Sequence, residues 1–316
     1  MSLWIGLDVG GTFLKGAAVD AAGEVGARLH EPVARDGARD LLGQLADAVR
    51  RLEGDRPAVG VGIGLPGIVE RDTGRLRAAP NVPALDGLLV GEEVARRTGR
   101  PCVIENDANA AALAEAWRGA GRGGRYVLVV TVGTGIGGGL VFNGRVWRGH
   151  SGYAGEIGHV QAQPEGEPCG CGSRGCVETV AGIGGWVRRA RARSESRPSI
   201  LRGREFDPEV IVAAAREGDA VALEVVDEAA AALGVGIAAA LQLFNLDRVV
   251  IGGGIAAAGA FLLDRVAAQT QARVFPHVFA DCTFAAATLG NEAGVVGAAR
   301  VAMLAFSGAA EPAPVA

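Results

Sequence analysis

Twice in this chain a β-rich strand runs into a glycine loop containing Gly-Thr and returns as a second strand. The first instance is "LWIGLDV", "GGT", "FLKGAAVD" from residue 3, followed by the turn "AAGE" and a third strand; the second is "RYVLVVTV" from residue 125, "GTGIGGG" and "LVFNGRVWRG", a hairpin turned by Asn-Gly. Hairpin letters follow both loops, which disfavours a dinucleotide fold, because a G-x-G-x-x-G loop of that kind has to open a helix. The duplication predicts two related lobes facing a cleft, a repeat of architecture more than of letters. Helix and strand alternate around it. "DLLGQLADAVRRLE" (residues 40 to 53) has apolar residues at helical spacing, "AVGVGIGLPG" reads as a buried strand entering a tight turn, and "VGEEVARRTG", "RPCVIEN" and "DANAAALAEAW" continue the alternation. The class is α/β.

With 316 residues, the chain reads as an N-terminal α/β lobe over residues 1–120, a C-terminal α/β lobe over 121–306, and a tail "SGAAEPAPVA" at 307–316 of disordered composition. Lys+Arg number 31 against Asp+Glu 35, so there is no basic footprint for nucleic acid. The basic stretch "RRARARSESR" carries no interleaved aromatics and reads as a solvated face. No uninterrupted apolar run approaches the ~18 residues a membrane span needs, and the N-terminus has neither a basic region nor an apolar core with a cleavage site. A cytoplasmic protein with no membrane partner is expected. Glycine numbers 50, about twice its usual ~7% share, which places function in backbone loops that approach a ligand closely.

Three of the five cysteines fall in the window "GEIGHVQAQPEGEPCGCGSRGCVE". Cys169, Cys171 and Cys176 are spaced C-x-C-x4-C, with Gly170, Gly172 and Gly175 between them so that the backbone can fold around one ion, and His159 supplies a fourth ligand. Three thiolates and an imidazole make a closed Cys3His site, the structural kind of zinc site. The alternative is a set of reduced, metal-free thiols in a glycine loop. A catalytic thiol fits less well, because it would sit beside two competing thiolates without a dedicated base. Glu156 and Glu178 flank this knot, and carboxylates held at its edge suit vicinal hydroxyls, since each accepts paired hydrogen bonds.

"DVGGT" sets Asp8 at a strand end before Gly10, Gly11 and Thr12, where bare amides can approach a phosphate and the acid can hold a magnesium-bound water. "TVGTGIGGG" brings Gly133, Thr134 and Gly135 as the counterpart from the second half. Ligand-free β-turns are the plainer reading of either loop alone. In "ENDANAAALAEAW", Asn106 and Asp107 stand at a strand end and helix start; Asp107 suits an N-cap, and equally a general base accepting a proton from an attacking hydroxyl.

Taken together, "DVGGT", "GEIGH" and "CGCGSRGCVE" resemble the ROK family of sugar kinases, within the actin-like ATPases. The resemblance runs from "IGLDVGGT" to "NEAGVVGAA", roughly residues 3 to 300, and the joined His-Cys motif is its most specific part. It implies a two-lobed actin-like ATPase (ribonuclease H-like) fold with an interlobe cleft and a structural zinc knot. It further implies Asp107 as base on the sugar, sugar contacts from Asn106, Glu156, His159, Glu178, Asn81 and Gly67, and ATP contacts from Asp8, Gly10, Gly11, Thr12, Gly133, Thr134 and Gly135. "GGG" at 252 to 254, with Gly253 and Gly254, is implied as the nucleotide-side turn. His159 would then serve zinc with one nitrogen and a sugar hydroxyl with the other.

The implied activity is glucokinase-type: ATP- and Mg2+-dependent phosphorylation of a hexose at the 6-hydroxyl, glucose first, with N-acetylmannosamine, mannose or fructose as alternative acceptors, as a step of carbohydrate metabolism. A homodimer or homotetramer is implied by the resemblance alone. The family also includes sugar-sensing repressors with an N-terminal DNA reader, for which a phosphate hairpin beginning at residue 8 leaves no room. Two positions depart from the family pattern. The segment "NVPALDG" has Leu85 and no aromatic where many glucokinases of the family carry tryptophan, and Phe13 stands where lysine is common, with Lys15 two residues on, expected at a strand edge in solvent.

Overall fold

The computed structural model describes residues 2–35, 37–70, 72–79, 81–254 and 258–307. Nearly all of the tail expected to be disordered, residues 308–316, lies outside the described residues. The chain forms two compact units.

The first unit opens with three strands, β1 (Leu3–Val9), β2 (Phe13–Asp20) and β3 (Val25–Pro32). α1 (Ala38–Glu53) follows, burying Leu41, Leu42, Leu45, Val49 and Leu52 on one face as its periodicity requires. Next come β4 (Gly60–Leu65), the small ribbon β5 (Ile68–Val69) with β6 (Leu76–Ala78), α2 (Val90–Thr98), β7 (Cys102–Asn106) and α3 (Asp107–Arg118). The main sheet has the order β3-β2-β1-β4-β7. β1 pairs antiparallel with β2 and parallel with β4, and β7 continues the parallel part. Strands covered on both faces are apolar almost throughout, which is why β4 is buried at every position. Its core gathers Ile5, Leu7, Leu14, Leu45, Val49, Ile63 and Leu65.

In the second unit the pattern restarts. β8 (Tyr126–Val132), β9 (Ile136–Phe142) and β10 (Arg145–Val146) are followed by α4 (Val177–Ala181), α5 (Ile183–Ser196), α6 (Pro208–Arg216), α7 (Ala220–Phe244), β11 (Arg248–Gly253), α8 (Ala260–Gln271), α9 (Pro276–Ala280) and β12 (Thr283–Ala286). The sheet order β10-β9-β8-β11-β12 reproduces that of the first sheet, again with an antiparallel opening pair and parallel neighbours beyond. Asn143 and Gly144, at φ 51° and 74°, make the turn that the Asn-Gly pair predicts between β9 and β10. Trp186, Val225, Ile237, Leu128 and Val249 lie in this unit's own core. Three arginines of the basic stretch are engaged by α7: Arg189 and Arg193 with Glu228, Arg197 with Glu224.

The chain then returns. Residues 146–154 and the chain from Asn291 on belong to the first unit, so its composition differs from a single division after residue 120. The returning helix, α10 (Ala293–Phe306), packs on β1, β4 and α3. Glycines make this possible. A β-carbon at Gly6 would lie 1.9 Å from the Val295 carbonyl, one at Gly62 1.8 Å from that of Ala298, and one at Gly297 1.7 Å from that of Ala110 in α3. Backbone therefore rests on backbone, and interiors packed this closely cannot admit a methyl group without displacement. Among the described residues no helix is long and apolar enough to cross a membrane.

Gly62→Ala is expected to destabilise the protein by about 3 kcal/mol, as overpacking against a rigid partner does. Gly43→Ala, inside α1 where the added methyl meets open space out to 4.0 Å, should instead stabilise by roughly 0.5–1 kcal/mol through helix propensity. Urea midpoints of the two variants check the contrast.

Candidate active site

In the first unit, Asp8 near the end of β1 faces Lys15 across the β1–β2 ladder and Gly64 across β1–β4. Its carboxyl is pushed above the usual carboxylate range by burial, partly offset by the Lys15 charge. The first turn of α10 closes over it: a β-carbon at Gly294 would lie 2.4 Å from Asp8 Oδ2. Lys15 is thus half-buried on an interior strand beside Asp8, and the expectation of a solvent-facing edge lysine is corrected by the pairing of β2 with β3. Phe13, in the place where lysine is common, stacks on His30 at 4.6 Å. The hairpin is held by Gly10 N–H donating to the Phe13 carbonyl at 2.9 Å and by Arg35 donating to the Gly11 carbonyl at 2.9 Å. Gly11 also sits against Asn81, 3.4 Å from a notional β-carbon to the Asn81 Cβ. Asp8, Gly10, Gly11, Thr12 and Asn81 are therefore neighbours around one turn.

At the β7–α3 junction, Asn106 Oδ1 accepts from Asn109 N–H at 3.0 Å, so Asn106 is the capping residue and the expectation of Asp107 as N-cap is corrected. Asp107 Oδ1 instead accepts from the adjacent Ala108 N–H at 2.8 Å. The Asn106 amide donates to the Gly67 carbonyl at 2.9 Å. Gly67 has φ 132°, and a β-carbon there would meet the Ala78 carbonyl at 2.0 Å, so only glycine fits. Asn106, Asp107 and Gly67 thus form a second cluster in this unit. Behind it lies a residue the sequence reading passed over: Glu105, 2% exposed, ion-paired with Arg148.

In the second unit the four donors of the His-Cys motif converge. Cys169 Sγ lies 3.6 Å from His159 Nδ1 and Cys171 Sγ 3.7 Å from Cys176 Sγ, and all four donor atoms fall within 4.8 Å of one another. Bonds of about 2.3 Å to sulfur and 2.1 Å to nitrogen set tetrahedral edges of roughly 3.6–3.8 Å, so these donors fit a tetrahedral metal ion. Bridges Gln161–Cys176 and Pro168–Arg174 hold the loop, and Gly175, at φ 64°, presses on the Gln163 carbonyl where a β-carbon would come within 1.5 Å. Burial and the neighbouring thiols push Cys176 up to about 12, whereas hydrogen bonds from Ser173 and Cys169 lower Cys171.

The two flanking carboxylates are positioned differently. Glu156 Oε2 is 3.8 Å from His159 Nε2, the nitrogen turned away from the thiols. Burial raises the Glu156 carboxyl, His159 lowers it, and the Glu178 charge raises it further. Glu178, on α4, accepts from Ile136 N–H at 3.0 Å through Oε2. A β-carbon on Gly135 would lie 2.4 Å from that oxygen, so the Gly133–Gly135 loop touches the Glu178 carboxylate only because Gly135 is bare. The loop is closed by Gly133 N–H to the Gly135 carbonyl at 2.9 Å and fastened by Ile183 N–H to the Gly133 carbonyl at 3.0 Å. Gly253 pairs with Val132 just before that loop, and Gly254 lines a cavity of about 250 Å³ together with Pro208, Glu209, Val212, Arg216 and Ala258. Sequence reading found Gly253 and Gly254 but not the helical wall, since α6 carries no motif.

Two sheets of matching strand order, each opened by a glycine loop, together with acids at strand and helix ends, define an actin-like ATPase kinase fold. The chain belongs to the ROK family, whose model matches residues 4–304. It is 39% identical over 307 residues to a glucokinase of Halalkalibacterium halodurans, covering 93% of each chain. Among solved structures it is similar to a ROK hexokinase from Thermus thermophilus, with TM-score 0.84, 34% identity and coverage of 96% of this chain and 99% of that one. It is also similar to a ROK family glucokinase from Streptomyces griseus in complex with glucose and AMPPNP, with TM-score 0.81, 34% identity and coverage of 96% and 100%.

Because burial raises Asp8 in the folded state, its ionised form costs stability above the folded pKa, and that cost vanishes as pH falls below the unfolded value. Asp8→Asn is expected to raise Tm at neutral pH, with the gain over wild type shrinking as the solution is acidified. Thermal melts across pH 3.5 to 7.5, a range chosen about the ordinary carboxylate value of ~3.9, read the difference directly.

Proposed function

We propose that this protein transfers the γ-phosphoryl group of ATP to the 6-hydroxyl of glucose. The observation that carries the reading is the hydrogen bond from Ile136 N–H to Glu178: one carboxylate suited to sugar hydroxyls is fastened to a glycine loop suited to phosphates. The similarity to a glucokinase bound to glucose and a nucleotide analogue, over the whole length, supports the choice of substrates.

In this reading Asp107 accepts the proton of the 6-hydroxyl as its oxygen attacks the γ-phosphorus in line. The bond to the bridging oxygen breaks, and ADP leaves. The sugar contacts are assigned to Asn106, Gly67, Asn81, Glu156, His159 and Glu178. Sugar hydroxyls donate to the carboxylates of Glu156 and Glu178, each of which accepts paired hydrogen bonds. Phosphate contacts are assigned to the amides of Gly10, Gly11, Thr12, Gly133, Thr134 and Gly135, and the base to the cavity at Gly254. Asp8, half-buried beside Lys15, is the residue that would hold Mg2+ through its water shell, and the ion would neutralise charge developing on the phosphates. His159, Cys169, Cys171 and Cys176 would hold structural zinc, leaving His159 Nε2 and Glu156 on its outer side for the sugar.

Asp107→Ala should lower kcat by roughly 10²–10⁴-fold with little change in glucose Kd, as expected on loss of a general base. Coupled turnover assays and calorimetric glucose titration check this, and near-wild-type turnover removes Asp107 from the chemistry. Removing the metal with a chelator should lower both Tm and glucose affinity, with zinc restoring both. An unchanged melt in metal-free protein argues against the structural zinc.

A further inference from the structure

Glu105 is a carboxylate at 2% exposure, immediately before the two residues assigned to the sugar. A charge so far from water persists only when its lone pairs are satisfied and a counter-charge is present. Both oxygens are engaged. Oε1 accepts from the Asn106 N–H at 3.0 Å and from the Asn109 Nδ2 at 3.2 Å; Oε2 accepts from Arg148 Nε at 2.7 Å and from the Arg148 Nη2. Asn109 is itself the residue whose N–H meets the Asn106 cap. One buried carboxylate thus grips the backbone just before Asp107 and the side chain two residues after it.

Arg148 is not brought there by secondary structure. It lies in residues 146–154, which belong to the first unit although the chain on both sides belongs to the second. The local turn is held by Ala154 N–H to the Arg148 carbonyl at 3.2 Å and by Gly149, at φ 69°, against Ala154. Two nitrogens of one planar guanidinium converge on the single oxygen Oε2, a fixed geometry that the single ammonium of lysine does not supply.

We propose that Glu105 and Arg148 are positioning residues for the phosphoryl-transfer step: the ion pair holds the strand-to-helix turn so that the Asp107 carboxylate meets the sugar hydroxyl. The inference rests on Asp107 being the base. Neither residue is among those assigned to the sugar or the phosphates, and the oxygens of Glu105 are already engaged, so their loss acts on the placement of Asp107. Misplacement of a catalytic group by about 1 Å costs up to ~10²-fold in rate. A pair serving stability alone would lower the fraction of folded protein and leave each folded site at its normal rate.

The test compares Arg148→Met, Arg148→Lys and Glu105→Gln with wild type and Asp107→Ala, each scored as kcat per glucose-binding site, with site number and Kd taken from calorimetry. Glu105→Gln keeps the Oε1 acceptor and removes the charge, so it carries the test where Arg148→Met fails to fold. Expected is a loss of about tenfold or more in kcat per site for Arg148→Met and Glu105→Gln, with glucose Kd within roughly threefold, and an intermediate value for Arg148→Lys. Wild-type kcat per site in the folded variants overturns the inference. If Asp107→Ala is inactive in that same experiment, the base assignment survives and only the positioning role falls; if Asp107→Ala turns over normally, the base assignment itself has failed.

Discussion

Contact between the backbone of α10 and the bare glycines of β1 and β4 is the constraint from which much of the first unit follows. Gly6 and Gly62 let the helix settle on the sheet at a distance that no side chain would permit. Gly297 does the same toward α3, so one helix locks both the sheet and the helix that begins with Asp107. The seat also determines where α10 begins. Its second residue, Gly294, lies over the Asp8 carboxylate and takes water away from it, and that desolvation is the main cause of the raised Asp8 pKa. A packing decision made by glycines thus becomes an electrostatic property of the β1–β2 hairpin.

In the second unit an analogous transmission runs through Glu178. The His-Cys knot ends at Cys176, α4 begins at Val177, and Glu178 is the next residue. Whatever holds the four donors together therefore holds this carboxylate within about two residues' reach of a fixed point. Through Ile136 N–H the same carboxylate fixes the strand that leaves the Gly133–Gly135 loop. The His-Cys donor cluster, the Glu178 carboxylate and the Gly133–Gly135 loop are consequently joined by direct contacts, and side chains on rigid supports are what a precise site requires.

Three carboxylates are buried to different degrees and stabilised in three ways. Asp8 is half-buried with Lys15 as its partner, Glu156 is raised by burial and by Glu178 with His159 opposing, and Glu105 is fully enclosed with a bidentate arginine. In the first two, burial opposes ionisation and a neighbouring cationic or protonatable side chain favours it. Burying such groups in ionised form lowers the stability of the folded chain. Glu105, already satisfied by four donors, belongs to the supporting frame.

Local features were legible in the residues alone. Alternation and glycine loops indicated both β-hairpins, the Asn-Gly pair its turn, and C-x-C-x4-C with His159 a single donor cluster, because each depends on neighbours within a few bonds or a short loop. Asn106 and Asp107 were correctly placed at the strand–helix junction, but which of them caps the helix depended on side-chain rotamers. Only the tertiary structure decided that α10 returns to the first sheet, that Glu178 meets Ile136 42 residues away, and that Arg148 neutralises a buried Glu105 43 residues away. Sequence by itself determined periodicity, turns and donor spacing, since these are properties of short chain segments. The pairing of distant charges and the close seating of helix on sheet arise when buried groups must find partners once water is excluded, and no short segment contains that requirement.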